Sequence, residues 1–486
     1  MTNGLISYLE TKDSGVEWLG EVPTHWEVRR LRNVSELRVS NVNKHTKEGE
    51  LPIRLCNYVD VYKNDHIRSG MAFMAATAKS DEVDRFQLVT GDVLITKDSE
   101  SWNDIGVPAL VQEVDADVVC GYHLALLRPD TMQLKGTFLF RAMQNRGVAH
   151  QFHVEAKGVT RYGLSHDAIK SVQIPVPSLP EQTAIVRFLD YADRRIQRYI
   201  RAKEKLIELL KEQKQAVIHQ AVTGQIDIST GQPYPTYKDS GVEWQPKVPT
   251  HWERTRLRVL LQPVDRRSTT GDETLLSLRR DHGIVIYAEH FSRPPQSESL
   301  VGYKLVETGQ LVVNRLQANN GLVFCSTLDG LVSPDYSVFD RKIPLQMRFL
   351  SEALRTSPVR AYFRRNATGL GTGTAGFLRL YDDKFLATPI PIPPVPEQDL
   401  IIEYIDRANA NTGAAISRAH RQIELIRECR TRLIADVVTG KLDVREAANA
   451  LPEIDPVAVA NGVRDLPGQG GLPVFDHEDR PAEVAG

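Results

Sequence analysis

Long apolar runs and clustered cysteines are missing from this sequence of 486 residues. No stretch reaches the roughly 18 consecutive apolar residues of a membrane span, and the first residues lack the basic and apolar pattern of a signal peptide. The four cysteines, at positions 56, 120, 325 and 429, show no CxxC spacing. This argues against a zinc site or a disulfide framework and predicts reduced, mostly buried thiols. The sequence therefore predicts a cytoplasmic protein.

A strong charge of either sign is also missing, since the net charge is −2. The charge is unevenly distributed. The residues from Asp443 onwards carry a net charge of −6, so residues 1–442 carry a small basic excess of +4. This end is rich in proline, glycine and alanine, which predicts a disordered acidic tail over residues 441–486. The charge balance alone neither requires nor excludes a nucleic-acid partner.

Complete catalytic motifs are absent as well. The sequence has no Asn/Asp-Pro-Pro-Tyr methyltransferase motif, no Walker A loop and no GxSxG. The glycine-rich segment 369–376 follows a predicted helix at Arg360–Asn366, whereas a dinucleotide loop must follow a strand. Asp335 and Asp340 imitate a metal-dependent nuclease motif, but five residues apart on one strand they point to opposite faces. We therefore predict no catalytic residue and no metal site.

What the sequence does contain is an internal repeat. KDSGVEW occurs at Lys12–Trp18 and again at Lys238–Trp244, and each copy is followed by VPTHWE at the same distance. Further on, IPVPSLPEQ at Ile174–Gln182 corresponds to IPIPPVPEQ at Ile390–Gln398. A third pair, AVTGQID and VVTGKLD, follows each of these about 40 residues later. Two copies of one architecture are therefore expected.

The segment between PEQ and VTG predicts a long helix in each copy. A proline precedes Glu181 and Glu397, as at helix starts, and Gly224 and Gly440 follow the last apolar positions as helix stops. Apolar residues recur at steps of three and four, which indicates a coiled coil of about 43 residues, roughly 65 Å long. The predicted interface residues are Ile185, Leu189, Ile196, Leu206, Leu210, Val217, Ile401, Ile405, Ile426 and Leu433.

Two equal repeats in one chain associate most simply about a pseudo-twofold axis, which sets the two helices antiparallel. By the same symmetry, Tyr8–Trp26 should pack near the end of the second helix, around Val437–Leu442. The bulky groups of KDSGVEW and VPTHWE, among them Trp18, Pro23 and Trp26, suit a joint that fixes the chain against the helices. A contact of this box with DNA or with a protein partner is the alternative.

The segments between the repeats differ in sequence and in length. Each predicts a short buried strand, at Gly91–Thr96 in one and Gly309–Asn314 in the other, followed by a polar loop. Other expected strands lie within 118–128 and 331–339, and other helices within 137–152 and 345–364. Each segment therefore predicts an α/β globule at the base of its helix.

These motifs, repeated in order over residues 8–443, resemble the specificity subunits of type I restriction–modification enzymes. The resemblance implies an α+β fold with two α/β target recognition domains, separated by two long antiparallel coiled-coil helices in an internal pseudo-twofold repeat. It also implies a non-catalytic chain that binds double-stranded DNA, two methyltransferase subunits and restriction/translocase subunits, and no membrane. S-adenosylmethionine, ATP and magnesium are then expected on those partner subunits, and no cofactor on this chain.

The corresponding domain boundaries follow the motifs. We expect an N-terminal box at 1–32, a first recognition domain at 33–179, a central helix at 180–224, a repeated box at 225–258, a second recognition domain at 259–395, a distal helix at 396–440 and the tail at 441–486.

The polar loops hold the candidate DNA-binding residues, because bases and phosphates are contacted by arginine, lysine, amide and hydroxyl side chains. The candidates are Lys97, Ser99, Ser101, Asn103, Thr160, Arg161 and Tyr162 in the first globule, and Arg315, Gln317, Asn319, Asn320, Arg379 and Tyr381 in the second. Three other functions stay open: a DNA-binding regulator that acts alone, a methyltransferase or nuclease, and a coiled-coil scaffold for proteins.

Overall fold

The computed structural model describes residues 6–291, 293–295, 297–370 and 377–452. It divides into two compact units: the first contains the residues up to Ala202 and those from Gln422 onwards, and the second contains Lys203–Arg421. Most of the glycine-rich segment, at 371–376, and most of the acidic tail, at 453–486, lie outside the described residues. Within the described ranges, no helix has the length and apolarity needed to cross a bilayer.

The chain contains many short strands, short helices between some of them, and two long helices. The strands are β1 (Thr11–Asp13), β2 (Glu21–Pro23), β3 (Glu27–Arg30), β4 (Ser35–Val39), β5 (Leu51–Cys56), β6 (His66–Arg68), β7 (Met74–Ala78), β8 (Val93–Thr96), β9 (Asp98–Ser99), β10 (Pro108–Glu113), β11 (Val118–Cys120), β12 (Leu124–Pro129), β13 (Lys157–Gly158), β14 (Tyr162–Gly163), β15 (Gln173–Val176), β16 (Tyr237–Asp239), β17 (Lys247–Pro249), β18 (Glu253–Arg256), β19 (Leu261–Val264), β20 (Leu276–Arg279), β21 (Gly283–Ile286), β22 (Lys304–Val306), β23 (Leu311–Asn314), β24 (Val323–Cys325), β25 (Gly330–Val332), β26 (Tyr336–Arg341), β27 (Thr368–Leu370), β28 (Phe377–Arg379) and β29 (Pro389–Ile392). The helices are α1 (Tyr58–Tyr62), α2 (Ser80–Phe86), α3 (Gly136–Met143), α4 (Arg146–Glu155), α5 (His166–Ser171), α6 (Leu179–Val222), α7 (Leu257–Leu260), α8 (Tyr287–His290), α9 (Met347–Leu354), α10 (Ser357–Asn366), α11 (Asp382–Leu386), α12 (Val395–Val438) and α13 (Arg445–Asn449).

The first unit is built on a five-stranded sheet of order β4-β12-β8-β10-β6, in which only β6 and β10 are parallel. Both faces of this sheet are covered. Since successive side chains of a strand point to opposite faces, each strand contributes to two cores. Val93 and Ile95 of β8 pack in one core with Phe138 of α3, whereas Leu94 packs in a second core with Leu55 of the neighbouring sheet β11-β5-β7. The central strand β8 is therefore buried on both sides.

The second unit repeats this arrangement with different side chains. Its sheet has the order β19-β26-β23-β24, which corresponds strand by strand to β4-β12-β8-β10. Along β23, Leu311 and Val313 pack in one core with Phe349 of α9, and Val312 packs in another core with Leu278 of β20. The duplication read from the sequence is thus a duplication of the fold.

The predicted strands at Gly91–Thr96 and Gly309–Asn314 are confirmed as β8 and β23. The other predicted elements are each divided in two: β11 and β12, β25 and β26, α3 and α4, α9 and α10. A cap explains the break after α3, since the Asn145 side chain accepts hydrogen bonds from the backbone amides of Gly147 and Val148 and so starts a new helix. After α9, a proline in the first turn of α10 has a similar effect.

The two long helices, α6 and α12, each contain 44 residues. An acidic residue, Glu181 or Glu397, lies in each first turn, where it interacts favourably with the helix dipole. Each helix is followed by a glycine with positive φ, Gly224 at 67° and Gly440 at 75°. The stops agree with the sequence prediction, because glycine adopts this conformation without the steric penalty of a Cβ atom.

The buried stripe of the helices differs from the predicted heptad stripe. Leu206, predicted to be an interface residue, is 41 % exposed, whereas the adjacent Ile207 is 6 % exposed. Leu210, Val217 and Ile426 are only partly buried, while Ile185, Leu189, Ile196, Ile401, Ile405 and Leu433 are buried.

The reason lies in the repeat length. Buried isoleucines recur every eleven residues in α6, at 185, 196, 207 and 218. In α12 they lie at 401, 423 and 434, and the intervening position of the same repeat, 412, is threonine. An eleven-residue repeat has about 3.67 residues per turn, close to the 3.6 of a straight α-helix, so the stripe stays on one face without a left-handed supercoil.

The contacts at the helix ends show the relative direction of α6 and α12. In the first unit, Leu189 near the start of α6 shares a core with Ile434 near the end of α12. In the second unit, Val222 at the end of α6 shares a core with Ile401 near the start of α12. The two helices are therefore antiparallel, and the predicted fold class is confirmed.

The repeated box packs where pseudo-symmetry placed it. In the first unit, a Cβ atom on Gly440 would overlap the Pro23 ring and lie 3.2 Å from Trp26. In the second unit, a Cβ atom on Gly224 would lie 2.5 Å from Pro249 Cδ and 3.2 Å from the ring of Trp252. Ile6 also bridges to Asp443. The predicted contact of Tyr8–Trp26 with the end of the second helix is confirmed.

The glutamate of each PEQ motif joins the box to the helix start. Glu181, whose side chain is 4 % exposed, accepts a hydrogen bond from the Tyr8 hydroxyl at 2.7 Å and contacts His25 Nε2 at 3.3 Å. Glu397 accepts from the Tyr234 hydroxyl at 2.6 Å and from Trp252 Nε1 at 2.9 Å, and it contacts His251 Nε2 at 2.7 Å. The two histidines, although exposed, are thus each paired with the carboxylate of a PEQ motif.

The KDSGVEW string itself has a smaller role than predicted. Its Asp-Ser-Gly forms a tight turn, in which Asp13 and Asp239 each accept a hydrogen bond from the glycine amide two residues later. Trp18 is 39 % exposed, whereas its counterpart Trp244 is partly buried and packs against the core of the second unit. The most deeply buried aromatic residues of the joint are Trp26 and Trp252 of VPTHWE.

The cysteines are free thiols. Cys56 and Cys120 are buried, and burial raises the pKa of both thiols well above its ordinary value. Cys325 is partly buried, and Cys429 on α12 is exposed, contrary to the expectation for a buried thiol.

Candidate nucleic-acid interface

Two polar loops of the first unit come together in a small sheet. The strand β9 (Asp98–Ser99) continues the chain after the buried strand β8, and it pairs with β14, so that Ser99 lies opposite Tyr162. The strand β14 also pairs with β13, which makes Thr160 and Arg161 the tip of a hairpin. The predicted candidates at 97–103 and 160–162, more than fifty residues apart in sequence, therefore form one surface.

An aspartate holds the basic groups of this surface in place. Asp98 accepts a hydrogen bond from Lys97 Nζ at 2.7 Å and contacts His123 Nδ1 at 2.8 Å, while Arg161 Nη2 lies 3.4 Å from the other ring nitrogen of His123. Burial acts to raise the pKa of Asp98, but the hydrogen bonds from Lys97 and His123 outweigh it and keep the pKa below its ordinary value. Asp98 therefore stays charged and orients Lys97.

The remaining candidates of the first unit differ in exposure. Asn103, Thr160 and Arg161 are exposed, and Lys97, Ser101 and Tyr162 are partly buried. Ser99 is only 5 % exposed, and its hydroxyl oxygen accepts from the Ser101 amide at 3.2 Å. Burial of Ser99 speaks against the predicted DNA contact and gives it a supporting role in the loop.

In the second unit, too, an aspartate orients basic side chains, but the residues differ. Asp335 accepts a hydrogen bond from Arg379 Nη2 at 2.5 Å, and its backbone carbonyl accepts from Arg315 Nε at 2.6 Å. The Arg379 guanidinium also lies 5.7 Å from the centre of the Tyr381 ring. Asp335, just before β26, thus joins Arg315 in the loop after β23 to Arg379 at the end of β28, as Asp98 joins Lys97 to His123 in the first unit.

Asp335 was half of the nuclease-like pair considered from the sequence. Asp335 is engaged by Arg379 and Arg315, whereas the side chain of Asp340, on β26, accepts a hydrogen bond from the backbone amide of Arg341. Within the described ranges, no group of three or more histidine, cysteine, aspartate or glutamate side chains is placed to hold a metal ion.

The amide candidates of the second unit lie on one short turn. Ala318–Asn320 forms a 3₁₀ turn, in which Asn320 Nδ2 donates to Gln317 Oε1 at 2.5 Å. The backbone carbonyl of Asn319 accepts from Arg360 Nε at 3.1 Å. Gln317, Asn319 and Asn320 are each partly buried. Asparagine and glutamine amides are the side-chain groups that generally hydrogen-bond to adenine edges in protein–DNA complexes.

Several residues of these surfaces were not predicted from the sequence. Asp98, His123 and Asp335 orient the predicted basic residues, and Trp102 is 49 % exposed between Ser101 and Asn103. A signal existed only for Asp98, which follows Lys97 directly. His123 and Asp335 reach their partners across 25 and 44 residues of sequence, which a local pattern does not reveal.

Comparison with known proteins gives these surfaces a context. Residues 23–209 match the family of the type I restriction modification DNA specificity domain. The type I restriction enzyme MjaX specificity subunit of Methanocaldococcus jannaschii is 24 % identical over 42 % of this chain and 47 % of its own length. The MjaVIII specificity subunit of the same organism is 22 % identical over 47 % of this chain and 52 % of its own length. The matches thus span about half the length of these curated relatives.

A solved structure shares the fold over a longer range. A chain from a study of complex assembly and conformational transition of the type I R-M system aligns with 87 % of this chain and 99 % of its own, at a TM-score of 0.60 and 15 % identity. At this identity the likeness concerns the fold alone. Together with the matched domain and the two curated relatives, it confirms the resemblance of this chain to the specificity subunits of type I restriction–modification enzymes.

Proposed function

We propose that the chain is a non-catalytic DNA-recognition subunit of a type I restriction–modification complex. In this proposal, residues 33–179 and 259–395 are two target recognition domains, and each reads one half of an interrupted DNA sequence. Two methyltransferase subunits and restriction/translocase subunits dock on the chain and carry S-adenosylmethionine, ATP and magnesium. The complex then methylates adenine within the recognised site.

The duplicated polar surface is the observation that carries the proposal. Each unit places a polar loop directly after its central buried strand, β8 or β23, and an aspartate on or near that surface orients the basic side chains. Loops that are positioned by a rigid sheet and carry lysine, arginine and amide groups are suited to contacts with phosphates and base edges. A protein-binding scaffold would not require these groups.

The difference between the two surfaces supports an asymmetric target. The first presents Lys97 and Arg161, and the second presents Arg379 with the amides of the turn at 317–320. Because arginine and lysine favour guanine edges, and asparagine and glutamine favour adenine edges, unlike surfaces select unlike bases. We therefore expect two different half-sites.

The helices supply the test of this proposal. A second copy of residues 197–207 in α6 and of 413–423 in α12 adds one eleven-residue repeat to each helix and preserves the buried stripe. The insertion lengthens each helix by about 16.5 Å, or roughly five base-pair steps of duplex DNA. The gap between the two methylated half-sites is expected to grow by about five base pairs, as measured by methylome sequencing of cells that express the variant with its partner subunits.

The matched control carries the same eleven residues in the exposed loop 44–49 of the first unit, and it should leave the gap unchanged. A helix-extended variant that still methylates its motif with the original gap would contradict the proposal that the helices set the spacing.

A further inference from the structure

Three arginines of the second unit converge beside the turn at 317–320. Arg360 on α10 donates through Nε to the carbonyl of Asn319 at 3.1 Å. Arg355, which follows α9, donates through Nη2 to the backbone carbonyl of Arg280 at 3.4 Å, and its guanidinium lies 4.3 Å from the centre of the Phe324 ring. Arg280 is exposed, and Arg355 and Arg360 are partly buried. The backbone of Arg280 and the side chains of Arg355 and Arg360 thus lie in one region, and the charges of Arg280 and Arg355 both act on Arg360.

This cluster lacks matching negative charge. Arg355 pairs with Glu352 at 3.1 Å, whereas neither Arg280 nor Arg360 forms an ion pair with any residue that the structure describes. Burial lowers the pKa of Arg360, and the neighbouring charges of Arg280 and Arg355 lower it further. Three guanidinium groups with one carboxylate form a site that an anion would stabilise.

The first unit has no such cluster at the corresponding place. The helix α4 of the first unit corresponds to α10 of the second. Aligning their N-caps, Asn145 and Thr356, places Gln144 opposite Arg355 and Ala149 opposite Arg360. The basic groups are therefore specific to the second unit and do not follow from the repeated architecture. The overall charge agrees, because basic residues exceed acidic ones in 259–389 but not in 33–173.

We propose that Arg280, Arg355 and Arg360 form a phosphate-binding site that grips the backbone of duplex DNA. This inference rests on the proposed function and adds to it that phosphate binding and base recognition are carried out by different residues of the second unit. The arginines bind phosphates without regard to sequence, and the hydrogen bond from Arg360 to Asn319 fixes the adjacent turn so that Gln317, Asn319 and Asn320 face base edges. Arginine suits this role because its planar guanidinium donates two parallel hydrogen bonds to a phosphate.

Salt dependence provides the test, since each phosphate contact in duplex DNA contributes about 0.9 to the slope of log K against log salt concentration. The full chain, reconstituted with its partner subunits, is titrated with duplex DNA that contains its methylated motif and with duplex DNA of unrelated sequence. The double variant R280A/R360A is expected to reduce the slope by about 1.8 on both DNAs, while the preference for the motif persists. The lysine variant R280K/R360K, which keeps the charge, should retain most of the slope.

The control variant is R365A. Arg365 lies on the same helix, is exposed and already pairs with Glu243 at 2.7 Å, so its loss should leave the slope near the wild-type value. If R280A/R360A unfolds, as judged by thermal denaturation, R280Q/R360Q replaces it.

The outcomes separate the two proposals. Wild-type slopes in the folded double variant would overturn the phosphate site and leave the proposed function intact. A selective loss of the motif preference would show that these arginines read bases, which also overturns the inference. Absence of salt-sensitive DNA binding by the wild-type complex would instead overturn the proposed function.

Discussion

Asp193→Asn is expected to destabilise the first unit by about 3–5 kcal/mol, because the change leaves a buried arginine without its main counter-charge. Arg141, whose side chain is 4 % exposed, donates through Nη1 to Asp193 at 2.6 Å. Arg430 of α12 donates to the same carboxylate through Nε at 2.9 Å. Asp193 of α6 thus connects α3 and α12, and differential scanning calorimetry should record the loss as a lower melting temperature.

The control for this prediction is Asp190→Asn. Asp190 lies one turn earlier on α6 and accepts from the same Arg141 at 2.7 Å, but it is 42 % exposed. Water screens an exposed pair, so this variant should lose less than about 1 kcal/mol. Equal losses for the two variants would show that burial of the Asp193 pair contributes nothing.

The same carboxylate gives the stability of the first unit a pH dependence. Burial acts to raise the pKa of Asp193, but the charges of Arg141 and Arg430 outweigh it and hold the pKa below its ordinary value. A group whose pKa is depressed by folding stabilises the folded state above its unfolded pKa of about 3.9. This contribution is lost as the pH falls through the folded-state pKa. Asp193→Asn should therefore flatten the decline of the melting temperature in acid.

Gly440→Ala is expected to destabilise the first unit by about 2–5 kcal/mol through two additive effects. The residue has a φ of 75°, which penalises a side chain by roughly 1–2 kcal/mol. The added methyl group would also overlap the rigid ring of Pro23 and press on Trp26, which overpacks the joint by about 1–3 kcal/mol. Thermal denaturation of the full chain measures the effect.

Gly20→Ala separates the two effects. Gly20 has a φ of 68°, but nothing lies within 4 Å of a Cβ atom added there. This variant should show the backbone penalty alone. If Gly440→Ala is no more destabilising than Gly20→Ala, the box does not pack tightly against the helix end.

Much of the fold could be predicted because the repeat supplied long-range information that a single copy lacks. The helix stops at Gly224 and Gly440 and the contact of the Tyr8–Trp26 box with the end of α12 followed from the offsets between copies. The buried stripe of the long helices was harder to predict. Counted from Ile185, a seven-residue repeat predicts that Leu206 is buried, and an eleven-residue repeat predicts Ile207. Both residues are apolar, so the local pattern could not decide between them, and the structure buries Ile207.

The candidate site could be predicted only as far as its loops. The position of Lys97 after a buried strand was visible in the sequence, but its fixation by Asp98 together with His123 depends on the sheet that brings residue 123 alongside. In the same way, Arg379 reaches Asp335 only in the folded second unit. Neither charge cluster has a periodic or spaced motif that sequence analysis could detect.

Methylome sequencing of cells that express the chain with its partner subunits tests most directly that each unit reads its own half of a DNA site. We expect an interrupted motif with two different halves. Substituting Lys97 and Arg161 should change one half, and substituting Gln317, Asn319 and Asn320 should change only the other. An uninterrupted motif, or one half that responds to both sets of substitutions, would show that the two units do not each read their own half of the site.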